Sequence, residues 1–179
     1  MATNQFVDPW VVQPDQSVGQ ALSSALVSGW SDGQVTLARP PAACARRTAT
    51  QAISDATWTA VSFTAADEWD TDGIHDASGA PTKFVIPAGF GGIWAVSGSI
   101  DLDSGTAGWA VILSVYVNGV HVQRFDRKGS AAVPTISLSG ATDILVAAGD
   151  EVEFWVHQSS GGSKNVTAAR ATVRLVSWA

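Results

Sequence analysis

The sequence predicts an all-β fold, a sandwich or jelly roll, preceded by a mostly irregular arm with one short helix. Three observations lead there. From Arg46 onward, apolar and polar residues alternate in short runs, the period of a half-buried strand. Gly, Asp, Asn, Ser or Pro punctuate those runs, as turns require. No helical periodicity is found after residue 45, and the light composition, with 17 Gly, favours strands and tight turns.

Residues 1–45 read as an arm. They hold four of the seven prolines and little alternation. Residues 15–28 form the one helical segment: Asp15 or Ser17 suits the cap, Val18, Leu22, Ala25 and Leu26 recur at helical spacing, and Gly29 suits the stop. A helix of that length is marginal alone and needs a partner for its apolar stripe. It either folds back on its own domain or serves as an anchor or a neck between subunits. Arg39-Pro40-Pro41 favours the anchor, because consecutive prolines make a stiff spacer. Strands then follow over 57–63, 83–87, 92–101, 110–118, 120–125, 134–139, 143–147, 151–158 and 172–178. Asn118-Gly119 is a strong hairpin signal.

Composition limits the function classes. The chain is 46% hydrophobic and 15% charged, which excludes a disordered tail. Its net charge of −6 and ten scattered basic residues lack the footprint of a nucleic-acid binder and argue against anionic lipid. No apolar run has the length of a membrane span. The start, MATNQFVDPW, lacks the regions of a signal peptide, so synthesis in a cytoplasm is the expectation. Cys44 is the one cysteine, so no internal disulfide forms.

Two strands carry apolar residues on both faces. In 151–158, Val152, Phe154 and Val156 take the core phase, which turns Trp155 outward with Glu151, Glu153 and His157. In 110–118, Val111, Leu113, Val115 and Val117 take it, which turns Ile112 and Tyr116 outward. A lone sandwich presents mostly polar groups to water, so these read as an interface between copies. Ile112, Tyr116, Trp155 and Trp178 are the candidate interface residues.

The order of several motifs carries a family resemblance. Asp67-Glu68-Trp69-Asp70-Thr71-Asp72-Gly73-Ile74-His75-Asp76 precedes Lys83-Phe84-Val85-Ile86-Pro87-Ala88-Gly89 and Gly92-Ile93-Trp94-Ala95-Val96-Ser97-Gly98. Val115-Tyr116-Val117-Asn118-Gly119 and Leu145-Val146-Ala147-Ala148-Gly149-Asp150-Glu151-Val152-Glu153-Phe154 come after. This resembles the jelly-roll domain shared by tumour necrosis factor and the globular head of complement's first component. It looks most like the versions in structural proteins of tailed bacteriophages of actinobacteria. Trp94 stands where that family usually has Tyr, and no collagen-like repeat precedes the domain. The resemblance implies a homotrimer with aromatic side chains packed around the threefold axis. It also implies a non-enzymatic virion protein: a head decoration or short head fibre, a minor capsid protein. Residues 1–45 would then dock on the major capsid protein or another virion protein, with Trp10, Val18, Leu22, Leu26 and Trp30 as anchor residues. A rival function uses the same fold as a receptor-binding module of a tail or tail fibre, gripping a host-surface glycan.

Chemistry-bearing groups are sparse. Asp67, Asp70, Asp72 and Asp76, with Trp69, form a candidate ligand or metal loop. Their donors suit calcium, but the spacing is not that of an EF-hand, and a solvated loop whose side chains cap turns is the favoured reading. His75, His121 and His157 are widely spaced, and no nucleophile elbow or phosphate-cradling glycine loop is present. The expectation is no enzyme, no cofactor and no bound metal.

Overall fold

The computed structural model describes residues 39–104, 107–130 and 133–178. The helix at 15–28 and the arm residues Trp10, Val18, Leu22, Leu26 and Trp30 lie outside the described residues. The compact unit begins at Pro40. Its first strand, β1 (Ala42–Arg47), starts inside the stretch that the sequence assigns to the arm. Small residues explain the difference: Ala42, Ala43, Cys44 and Ala45 are buried, and their weak apolar pattern resembles a linker.

Two antiparallel six-stranded sheets face each other. The first has the order β10 (Thr135–Val146), β7 (Gly92–Asp103), β12 (Lys164–Trp178), β1 and β4 (Trp69–Asp70), with β2 (Gln51–Ile53) also on β12. The second has the order β5 (His75–Asp76), β6 (Ala80–Val85), β11 (Glu151–Gln158), β8 (Ala110–Val117) and β9 (Val120–Gly129), with β3 (Thr59–Ala60) also on β11. The described residues hold no helix.

Alternation produces the core. In β7, Trp94, Val96, Ile100 and Leu102 point inward, opposite Val152, Phe154 and Val156 of β11 across the sandwich. Trp94 is fully buried, and its indole N–H donates to the Phe90 carbonyl at 2.9 Å, so no polar atom is stranded. Phe63, Phe84 and Phe154 meet edge to face at 5.6–6.0 Å.

Three sequence readings change at the strand level. The runs at 134–139 and 143–147 are one continuous strand, β10, because Gly140 is not a turn. A Cβ on Gly140 would lie 2.5 Å from Phe125 Cβ, and one on Gly98 would lie 2.7 Å from Phe154. The two glycines oppose each other in register and admit aromatic rings from the second sheet. Of 57–63, only Thr59 and Ala60 pair in a strand, although Val61 and Phe63 are buried as the alternation requires. The last strand extends back to Lys164, where small Ala169 and Ala171 fill the core without a strong apolar pattern. Asn118 (φ 52°) and Gly119 (φ 74°) both take positive φ and close the β8–β9 hairpin, as their pairing in the sequence requires.

Candidate interaction surfaces

The acidic loop is built from capped turns. Asp70 turns its carboxylate back onto its own loop: Oδ1 accepts from the Asp72 and Ile74 amides, and Oδ2 from the His75 amide at 2.9 Å. Asp76 accepts from the Gly79 and Ser78 amides and the Ser78 hydroxyl, and these donors hold its carboxyl below the ordinary range. Asp67 pairs with the buried ring of His75 at 2.8 Å, and Asp72 accepts from the Thr71 hydroxyl. Glu68 is held low by its bonds from Arg170 and from the Cys44 thiol. Every carboxylate of the loop already has a donor. Among the described residues, no group of three or more His, Cys, Asp or Glu side chains is placed to hold a metal. Burial pushes the Cys44 thiol up, so it stays protonated and inert.

Trp69 does not join those carboxylates. It stands opposite Cys44 on the outer face of the first sheet, 41% exposed. There it walls a shallow trough of about 490 Å³ floored by Ala95, Ser97 and Thr172 and flanked by Asp143 and Arg174.

The four candidate interface residues lie on two different sheets. Ile112, Tyr116 and Trp155 share the outer face of the second sheet, all half-buried. Tyr116 stacks on Trp155 at 4.9 Å, and Trp58, from the segment before β3, reaches both Tyr116 (5.8 Å) and His157 (5.2 Å). Ser114, opposite Trp155 in register, is fully buried at the floor of this cluster, and its hydroxyl has no partner. Burial also raises the Tyr116 phenol. The aromatic face is therefore tiled by its own chain.

Trp178 belongs to the first sheet. It pairs with Gly92 at the end of β12 and is 44% exposed. Beside it, Ile93 (40% exposed) opposes Leu145 (72% exposed), and Val176 is 53% exposed. Ile93 and Leu145 pair on the outer face of the first sheet, with Val176 in the β12 bulge beside them, whereas Trp178, paired with the core-phase Gly92, takes the opposite phase at the end of the sheet. Sequence reasoning named one of them. The signal for the others was present: Ile93 and Leu145 stand in the outward phase beside core residues Trp94, Ile144 and Val146.

With the layers and their order established, the fold can be matched to known structures. The globular domain of zebrafish complement C1qA superposes with a TM-score of 0.57 at 14% identity, covering 78% of this chain and 99% of that one. The sandwich is a TNF/C1q-like jelly roll. The same comparison returns a TNF (Eiger) from S. frugiperda, with TM-score 0.46, 15% identity and coverage of 79% and 96%. It also returns murine APRIL, with TM-score 0.47, 13% identity and coverage of 75% and 99%. No protein-family model and no curated protein matches the sequence.

Proposed function

We propose that this protein is a non-enzymatic display module that self-associates as a trimer through the outer face of its first sheet. The observation that carries this reading is the exposed outward pair Ile93 and Leu145, with Val176 in the adjacent bulge of β12. Left in water, it exposes the apolar side chains that a second and a third copy would cover, and closed symmetry is the usual outcome when one surface meets copies of itself.

The finer reading places the trimer on the surface of a tailed phage particle, as a head decoration or short head fibre. It is supported by the motif order from Asp67 to Phe154, which resembles phage jelly rolls. Residues 1–38 would be the tether to a capsid or other virion protein. Three tethers on one trimer act at high effective concentration, so a modest affinity per arm gives lasting attachment. Deleting residues 2–38 should leave a folded trimer that no longer co-sediments with particles. Incorporation of the truncated chain would overturn the tether.

A further inference from the structure

We infer that the outer face of the second sheet is a binding platform for an acidic polysaccharide, whose sugar rings lie on Trp58, Tyr116 and Trp155 while Arg124 and Arg127 pair with its negative groups. This face lies on the opposite sheet from the proposed assembly patch and shares no residue with it.

The platform is a set of groups held in register. Across the outer face of β9, β8 and β11, one row reads His121, Tyr116, Glu153, the next Arg124, Ser114, Trp155, and the next Arg127, Ile112, His157. The rings are fixed against one another: Tyr116 on Trp155 at 4.9 Å, His121 edge-on to Tyr116 at 5.3 Å, and Trp58 against Tyr116 and His157. All but the exposed His121 are half-buried, so each is immobilised yet keeps an accessible surface. A sugar ring offers an apolar C–H face that packs on such rings and a rim of hydroxyls that need hydrogen-bond partners.

The rim groups are unspent. Among the described residues, the Tyr116 hydroxyl and the rings of His121 and His157 make no hydrogen bond, and Arg124 and Arg127 make neither a side-chain hydrogen bond nor an ion pair. Of the other charges of the face, one carboxylate has a cation and one is buried with a neutral donor. Glu151 pairs with Lys83 at 2.8 Å, and Glu153 accepts the Trp155 indole N–H. Two exposed guanidinium groups beside an aromatic floor are what remain for a partner, and their chemistry selects carboxylate or phosphate. A single-stranded nucleic acid also stacks on aromatics and carries phosphates, so oligothymidylate is the competing probe.

The test is biolayer interferometry of the full chain on immobilised polygalacturonate, glycerol-phosphate teichoic acid, neutral dextran and oligothymidylate. Binding to the uronate polymer, the phosphodiester polymer or both, with none to dextran, is the expected result, and the two acidic arms tell which anion is read. Arg124→Ala and Arg127→Ala, both at exposed positions, should each weaken binding about tenfold. Tyr116→Phe keeps the ring and should weaken it less. Light scattering on the same variants should show unchanged mass, which separates failure of this site from failure of the assembly. The inference is overturned by no binding to either acidic polymer, by equal binding to dextran, by tighter binding to oligothymidylate, or by binding that survives loss of both arginines.

Discussion

The outer faces of the two sheets carry similar amounts of apolar side chain and treat them in opposite ways. On the second sheet, Trp58 arrives from the segment before β3 and lies against Tyr116 and His157, leaving Ser114 wholly buried. On the outer face of the first sheet, Ile93, Leu145 and Val176 remain 40–72% exposed. Alternation along a strand says which side chains leave the core. Whether they then meet water depends on a distant segment that no local pattern reveals.

The contrast can be broken by placing charge on each face. Leu145→Glu sets like charges together where copies are proposed to meet. It should weaken self-association on the order of a hundredfold in sedimentation velocity. Because Leu145 is exposed in a single chain, the fold itself should lose no more than about 0.5 kcal/mol. A trimer that tolerates this change would move the interface elsewhere.

Trp58→Ala probes the other face. Removing the tile exposes Tyr116 and the unpartnered Ser114 hydroxyl, so urea unfolding should show a loss of about 2 kcal/mol. The association constant should hardly change. A variant that dissociates without losing stability would show that the aromatic face, not the apolar patch, joins the copies.

A smaller effect sharpens the comparison at the loop between the sheets' edges. The Asp76 and Glu68 carboxyls sit below their ordinary range in the folded chain, Asp76 through the Gly79 and Ser78 amides and Glu68 through Arg170. Groups depressed on folding stabilise above their unfolded values and lose that contribution as pH falls through the folded ones. Stability should therefore decline on acidification below about pH 4. Asp76→Asn should flatten that decline in thermal melts, while the oligomeric mass stays constant. An unchanged pH profile would remove Asp76 from the account.

Much of the sandwich was legible because burial alternates along β7 and, apart from the buried Glu153, along β11. Asn118-Gly119 fixed its hairpin through backbone conformation alone. What escaped was non-local. Gly140 reads as a turn until Phe125 is seen occupying the space a Cβ would take. Ala42–Ala45 reads as linker until its pairing with Ala171–Arg174 is known. The aromatic face carries the same lesson: Tyr116 and Trp155 leave the core as their phase requires, but Trp58, which packs on Tyr116, arrives from a distant segment, and Trp178 stands on the other sheet. The carboxylates of 67–76 looked like a ligand loop because sequence shows the acceptors and not the amides that satisfy them.

The central claim is that bare apolar surface on the first sheet is covered by further copies of the same chain. Multi-angle light scattering of the full chain, followed down to dilute buffer, tests it most directly. The account predicts a species of three times 18.5 kDa. A stable, non-aggregating species of 18.5 kDa across the whole dilution range would contradict it.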